Sequence, residues 1–398
     1  MPPQLFGTFS LIIISLAVLA QMYLFWRIRQ AIRSLRGSGR RASLVVALAG
    51  VAIGVLFAAN WHIVATPIPW LNPPTLAQTV LFYAPAVWGF GSIFSALLLL
   101  IAQFIGGLGE IAALLFRRLA GPGTTAPANP GRRLFLKVGV GGLAASPFLL
   151  SGYGAAYAAR NHTAVELTLP FGSPLRVVQL TDIHAGIFMT REMMGRYVDQ
   201  VIALKPDLFV LTGDYISNST AFFPGFVEEM ARVQSRYGTF ATMGNHEHWC
   251  GELSYYRDLF ERHGIRLLQN AHQVIQTDQN TFAVAGIDDL RWGQPDLDAA
   301  LRGLKPNLPV LLLSHRPEIF PKAAEHRIPL TLAGHYHGGQ VKLSLPGGDV
   351  SLAHLRTPYP EGHYRINASH LYVSRGIGTT FTPVRLNAPP EVTLFKLL

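Results

Sequence analysis

The sequence predicts two unlike parts, an α-helical membrane-crossing region followed by an α/β domain built on a largely buried central sheet. Three observations predict it. Long apolar runs, nearly free of charge, fill the first 157 of 398 residues. The charge is unevenly shared: of 33 Lys/Arg and 23 Asp/Glu, 11 basic residues and one acid, Glu110, precede residue 160, which leaves 22 of each sign from residue 160 onward. From about residue 165, short aliphatic and β-branched runs alternate with helical stretches. That alternation is the pattern of an α/β domain.

The first apolar run is Phe6–Trp26, followed by a basic, acid-free stretch with Arg27, Arg29, Arg33, Arg36, Arg40 and Arg41. The second is about Ala42–Thr66, and Pro67–Gln78 after it is uncharged and rich in proline. The third, about Val80–Leu115, exceeds the roughly 20 residues of one straight span. It is expected to tilt, to break near Gly106, Gly107 and Gly109, or to run on along the interface. Arg117 and Arg118 and a Gly/Pro/Ala/Thr-rich linker, Ala120–Gly131, precede the fourth run, Leu134 to about Tyr157. Basic residues concentrate in cytoplasmic loops, so residues 27–41 and 117–133 belong inside and 67–78 outside. This places the chain in a bacterial-type inner membrane, multi-pass, with everything after the fourth run on the outer, periplasmic face. The expected division is 1–118 for about three spans, 119–159 for linker and fourth segment, and 160–398 for the α/β domain. Arg132-Arg133-Leu134-Phe135-Leu136-Lys137 also resembles the twin-arginine export signature.

The net charge of +10 therefore reflects membrane topology and does not make a basic nucleic-acid patch. The single cysteine, Cys250, excludes an intrachain disulfide and any multi-cysteine metal site. The near absence of ionisable groups in the spans argues against a transporter.

Strands are predicted at Leu175–Thr181, Leu208–Thr212, Gly238–Met243, Phe282–Gly286, Pro309–Ser314, Leu330–Ala333 and Leu371–Ser374. Helices are predicted at Arg191–Leu204, Pro224–Ser235, Leu253–Arg262, Asp296–Arg302 and Pro317–Glu325. Five strands end in polar groups of metal-ligand type: Asp182-Ile183-His184, Gly213-Asp214, Gly244-Asn245-His246-Glu247, Ser314-His315 and Gly334-His335-Tyr336-His337. Strand C-termini are where α/β sheets place their sites. One such turn is commonplace, but a structural core has no reason to gather Asp, Asn and His at five successive strand ends. No P-loop, serine triad or zincin motif competes; after His246-Glu247 the next histidine is His248, the wrong spacing for a zincin.

The ordered set resembles the calcineurin-like metallophosphoesterase family over about residues 172–398, and more closely its membrane-anchored bacterial and transmembrane members. Gly338-Gly339-Gln340-Val341, Ser374-Arg375-Gly376-Ile377-Gly378, Pro383, Arg385, Pro390 and Glu391 fit that subgroup. The resemblance implies an α-β-β-α two-sheet sandwich. It further implies one metal on Asp182, His184 and His337, a second on Asn245, His315 and His335, Asp214 bridging both, and His246 beside them as general acid or phosphate donor. Tyr336 and Glu247 depart from the pattern, where threonine and aspartate are usual, and Tyr336 could narrow the substrate pocket.

Phosphate-ester hydrolysis needs neutralised phosphoryl oxygens and a hydroxide at neutral pH, which two adjacent divalent cations supply. His/Asp/Asn ligation suits manganese, iron or zinc rather than calcium. The expectation is thus a membrane-anchored hydrolase of phosphomono- or phosphodiesters, acting on a phosphate-ester substrate that could be a lipid or other envelope component. The alternatives are a UDP-2,3-diacylglucosamine-type pyrophosphatase of the lipid A pathway, which the predicted topology opposes, and a silent metal-binding scaffold or sensor, which the intact ligand set opposes. His62 reads as interfacial, His248, His354 and His363 as surface or loop residues, and Arg385 as a structural ion pair rather than a substrate-anion site.

Overall fold

The computed structural model describes residues 8–65, 75–120, 130–278, 280–380 and 382–398. Residues 67–74 of the proline-rich loop and 121–129 of the linker lie outside them. The chain separates into a helical unit, Pro3–Val64 with Val80–Tyr153, and a second unit that contains Gly154–Leu398.

The helical unit comprises α1 (Thr8–Arg36), α2 (Arg40–Ala65), α3 (Leu76–Ala120) and α4 (Pro130–Tyr153). The basic stretch expected to form a loop is helical as far as Arg36. It turns at Gly37, whose φ of 72° is open to glycine, with Gly37 N–H on the Arg33 carbonyl. Helix α3 runs unbroken for 45 residues through Pro85 and the three glycines. At 1.5 Å per residue it reaches about 68 Å, over twice the roughly 30 Å hydrocarbon core; of the three alternatives expected for this run, the break at the glycines does not occur, and the helix continues beyond a single span. Small residues let the helices close up: Ala20 and Leu24 of α1 pack with Ala96 and Leu99 of α3 and Ala144 and Phe148 of α4. Gln21 bridges inside, donating to Ser92 Oγ (2.6 Å) and accepting from Trp88 Nε1 (2.9 Å). Large apolar side chains such as Leu48, Val51, Val55, Leu97 and Phe104 face outward. Of the described helices, Arg40–Ile63 and Leu76–Phe116 contain stretches long and apolar enough to cross a membrane. The export-like motif lies within α4; the side chains of Arg132, Arg133 and Lys137 are outside those described.

The second unit is a pair of six-stranded mixed sheets. Its strands are β1 (Thr163–Leu169), β2 (Leu175–Leu180), β3 (Leu208–Leu211), β4 (Thr239–Ala241), β5 (Ile265–Leu267), β6 (Ala271–Gln276), β7 (Thr281–Gly286), β8 (Val310–Leu313), β9 (Leu330–Ala333), β10 (Leu343–Leu345), β11 (Gly348–Val350), β12 (Gly362–Ile366), β13 (Ser369–Val373) and β14 (Glu391–Leu397). One sheet is ordered β1-β14-β2-β3-β4-β5 and the other β12-β13-β9-β8-β7-β6, while β10 and β11 pair only with each other. Strands β2 to β5 are mutually parallel, as are β7, β8, β9 and β13. Parallel strands covered on both faces read as continuous apolar runs, which is why Leu-Phe-Val-Leu and Val-Leu-Leu-Leu make β3 and β8.

Side-chain alternation builds the layers. Leu208 and Val210 of β3 point between the sheets to meet Phe282, Leu311 and Leu332, whereas Phe209 and Leu211 point out toward helices. That outer face carries α5 (Arg191–Ala203), α6 (Phe223–Met230) and α8 (Leu253–Arg262), packed through Val198, Phe226 and Phe260. The other sheet's outer face carries α9 (Leu297–Leu301) and α10 (Phe320–Glu325) on Ala283, Ala285 and Leu312. The remaining short helix, α7 (Asn245–Cys250), starts inside the site. The result is the α-β-β-α sandwich, with the carboxyl ends of its parallel strands at one edge.

Candidate metal centre

Five loops at that edge bring the seven expected ligand residues and His246 together. Asp182 and His184 follow β2, Asp214 follows β3, Asn245 and His246 open α7 after β4, His315 follows β8, and His335 and His337 follow β9. The loops are stitched through backbone: Asp182 N–H donates to Gly213 O (3.0 Å), His184 N–H to Asp214 O (3.0 Å) and Gly334 N–H to His315 O (3.0 Å). Twelve non-glycine residues among those described have positive φ, and Asp182, His184, Asp214, His335 and His337 are five of them. Each such conformation costs of order 1–3 kcal/mol and persists only where surroundings enforce it. Here it turns five side chains inward within two to four residues of a strand end.

Asp214 Oδ2 lies at the middle. It is 3.2 Å from His315 Nε2 and 3.7 Å from His184 Nε2, with His246 Nε2 further off at 3.9 Å. On one side, His184 Nε2 and His337 Nε2 are 3.1 Å apart and His337 Nε2 is 3.4 Å from Asp182 Oδ1. On the other, His315 Nε2 is 3.1 Å from His335 Nδ1 and 3.2 Å from Asn245 Oδ1. Two groups, Asp182-His184-His337 and Asp214-His315-His335, each bring their ligand atoms within 4.8 Å of one another, and His184-Asp214-His246 makes a third such group.

Electrostatics favours lone pairs facing inward. Burial, and then neighbouring histidines, hold the imidazoles of His184, His335 and His337 well below the usual histidine range, so they are neutral. Burial pushes Asp182 up to about 6 and, with Asp214 nearby, Glu247 up to about 7. Burial also opposes charge on Asp214 and His315, but their attraction wins: Asp214 sits well below the carboxylate range and His315 is pushed up to about 10. Imidazole nitrogens paired at 3.1 Å and gathered with buried carboxylates and the Asn245 oxygen form a compact nitrogen-and-oxygen donor set, the kind that divalent transition metals take, so the residues present fit metal.

A second layer fixes these groups. His315 Nδ1 faces the Thr212 carbonyl (2.9 Å) and His246 Nδ1 the Ser217 carbonyl (2.5 Å), which turns each Nε2 toward the centre. The departure at Glu247 has a use: its carboxylate accepts the N–H groups of Asp214 (3.0 Å), Tyr215 (2.8 Å) and Gly244 (3.0 Å), locking two ligand loops together. Tyr336 donates to Glu318 Oε1 (2.5 Å) and stands edge-on to the His335 ring. Sequence reasoning missed Thr380, whose hydroxyl is 2.9 Å from His337 Nε2 and 3.3 Å from His184 Nε2. It also missed Arg316, whose Nε donates to Asp289 Oδ2 (2.8 Å) and Nη2 to Asn245 Oδ1 (3.1 Å), with Nη1 2.6 Å from His335 Nε2. Its adjacency to His315 was the available signal. Arg385 is fully buried; it donates to the carbonyls of Gly378 (2.5 Å) and Ala388 (2.8 Å) and approaches His337 Nδ1 (3.1 Å). It is neither the ion pair expected nor a substrate-anion site. His248 pairs with Asp288 (2.7 Å) at a neighbouring cleft of about 290 Å³ that also includes Gln269, Asn270 and Trp292. His354 sits in a turn with Ser351, and His363 stacks on His370; neither joins the cluster.

Comparison with known proteins gives this arrangement a family. Residues 175–343 match the calcineurin-like phosphoesterase model. The chain is 32% identical over 279 residues to the uncharacterized metallophosphoesterase YkuE of Bacillus subtilis (strain 168), covering 67% of this chain and 97% of that one. It is 30% identical over 265 residues to the transmembrane protein with metallophosphoesterase domain of Danio rerio, covering 62% of this chain and 59% of the relative. It is 30% identical over 229 residues to the phosphodiesterase YaeI of Escherichia coli (strain K12), covering 57% and 83% respectively. The chain belongs to the calcineurin-like phosphoesterase family.

Gly334 supplies a test of the geometry. A Cβ there would overlap Asp182 Oδ2 and Thr181 Oγ1. Gly334→Ala must displace the Asp182 carboxylate, and divalent-metal affinity, read by chelator competition, is expected to fall about 10–100-fold. Unchanged affinity would show that Asp182 does not hold metal.

Proposed function

We propose that this calcineurin-like phosphoesterase is a membrane-anchored enzyme that hydrolyses phosphomono- or phosphodiesters with two divalent cations, manganese, iron or zinc. The observation that carries the reading is the placement of Asp214 Oδ2 between His315 and His184, with a nitrogen-and-oxygen donor set on either side. Asp182, His184 and His337 would hold one cation, Asn245, His315 and His335 the other, and Asp214 both. When bound, the cations neutralise phosphoryl oxygens and acidify a water at neutral pH. The phosphodiesterase name of one relative favours diesters.

The chain's own residues supply the rest. Arg316, anchored by Asp289, directs its Nη atoms at the Asn245–His335 side, where they can meet a phosphoryl oxygen. With Nδ1 of His246 committed to the Ser217 carbonyl, Nε2 is the atom free to give a proton to the leaving oxygen. The catalytic domain is assigned to residues 160–398 and, from the basic excess flanking the apolar runs, to the outer face of the inner membrane.

Asp214→Asn is expected to abolish turnover and lower metal content below two per chain, since a neutral amide cannot hold two cations together; retention of both metals and a normal rate would refute the bridge. His246→Ala is expected to keep both metals and slow turnover by about 10²–10⁴-fold, more for alkyl than for nitrophenyl leaving groups. His335→Ala should instead lose metal. If His246→Ala loses metal in the same way, His246 is a ligand and the acid lies elsewhere.

Topology has its own test. Alkaline phosphatase fused after residue 160 should be active and a cytoplasm-dependent fluorescent protein dark. The reverse pattern would put the domain inside.

A further inference from the structure

Ten large hydrophobic side chains of the Gly154–Leu398 unit are exposed among the described residues, and five of them fall in one 13-residue stretch. They are Leu343 (65% exposed), Leu345 (54%), Val350 (46%), Leu352 (72%) and Leu355 (80%). The stretch contains the β10–β11 hairpin, which pairs with no other strand. A two-stranded hairpin is marginal by itself in water, and a contiguous apolar patch of this kind marks a docking surface.

The register makes the hairpin amphipathic. Leu343 faces Val350 and Leu345 faces Gly348, so Leu343, Leu345 and Val350 share one face. Ser344 and Asp349 are paired on the opposite face, where Ser344 Oγ donates to Asp349 Oδ1 (2.7 Å) and Lys342 Nζ reaches Asp349 Oδ2 (3.1 Å). The polar face is thus internally satisfied, while the apolar face stays exposed among the described residues. Leu352 and Leu355, also exposed, follow on the next turn, Leu352–Leu355.

The root of the hairpin is the metal-ligand loop. Gly339, two residues after His337, leaves no room for a Cβ against Ser351, which follows β11 at the base of the hairpin. Gln340 accepts the N–H of Thr380 (2.8 Å), whose hydroxyl faces His184 and His337, and Val341 bridges to Leu386. The hairpin is therefore rooted beside the candidate centre. The same chain carries helices apolar enough to cross a bilayer, and the unit begins at the residue after α4. A tether of that kind holds a lipid surface at high effective concentration.

We propose that Leu343–Leu355 is a wedge that inserts its leucine face into the bilayer, and that the centre beside it acts on phosphate esters carried by membrane lipids. The second clause rests on the phosphoesterase reading; the first does not. Insertion would draw headgroup phosphates to the site without a deep acyl pocket, and a soluble ester would gain nothing from it.

The test uses the full chain in phosphatidylcholine/phosphatidylglycerol nanodiscs. With Cys250→Ser as background, Leu352→Cys carries an environment-sensitive fluorophore, and exposed Asp278→Cys is the control position. Spin-labelled lipids should quench the Leu352 site several-fold more than the control. Equal quenching, or disulfide cross-linking of two copies through Leu352→Cys, would overturn the wedge. In parallel, Leu343→Ser/Leu352→Ser/Leu355→Ser should lose about tenfold or more in rate on a nanodisc-embedded phosphodiester and keep its rate on soluble bis-nitrophenyl phosphate. Equal losses on both would overturn lipid presentation. Strong quenching in a chain inactive on every ester would retain the wedge and refute the phosphoesterase reading.

Discussion

The Asp214 carboxylate, shared between His184 and His315 in a fully buried setting, is the contact on which the rest of the hydrolase unit depends. Three carboxyl groups, Asp182, Asp214 and Glu247, are buried within this small region. Such burial is tolerated only when charge is compensated. Glu247 is compensated by three backbone N–H groups, and Asp182 by the His335 N–H and the Thr181 hydroxyl. Asp214 accepts the His246 N–H at Oδ1 (3.0 Å) and turns Oδ2 to the imidazoles of His184, His246 and His315, where the proposed cations would complete its compensation.

This constraint explains features that would otherwise be liabilities. Positive φ at five ligand residues, glycines where no Cβ fits, and buried Arg316 and Arg385 all raise the cost of the fold. The parallel strands underneath are almost wholly apolar and supply the stability against which these costs are set. Two sheets packed face to face, with the carboxyl ends of their parallel strands at one edge, let residues 155 positions apart in sequence, Asp182 and His337, come into contact.

Much of this was legible in the sequence, for reasons that can be named. Strands β3 and β8 are continuous apolar runs, β2 and β9 are largely aliphatic, and Gly, Asp or His follows each within a few residues, so both their type and the site beyond their ends could be read. The less visible strands break that pattern. β1 is a half-exposed edge, and β14, though buried, interleaves Glu391, Thr393 and Lys396 with its apolar residues; Glu391 is neutralised by Arg375 (2.6 Å), a partner only the fold reveals. Arg316, Thr380 and the hydrogen-bonding of Arg385 were hidden for the same reason, since each acts through a residue distant in sequence or through backbone. In the helical unit, the apolar runs located the helices, but helix propensity carried α1 through its arginines and α3 through its glycines.

The proposed enzyme combines a membrane anchor, a centre with Asp214 bridging two cations, and an amphipathic hairpin rooted beside that centre. Everything else in it depends on the pair of cations. Anomalous scattering from crystals of the manganese-loaded chain measures that most directly. Two peaks about 3.5–4 Å apart should flank Asp214 Oδ2, one among Asp182, His184 and His337 and the other among Asn245, His315 and His335. A single peak, or none within coordination distance of Asp214, would contradict it.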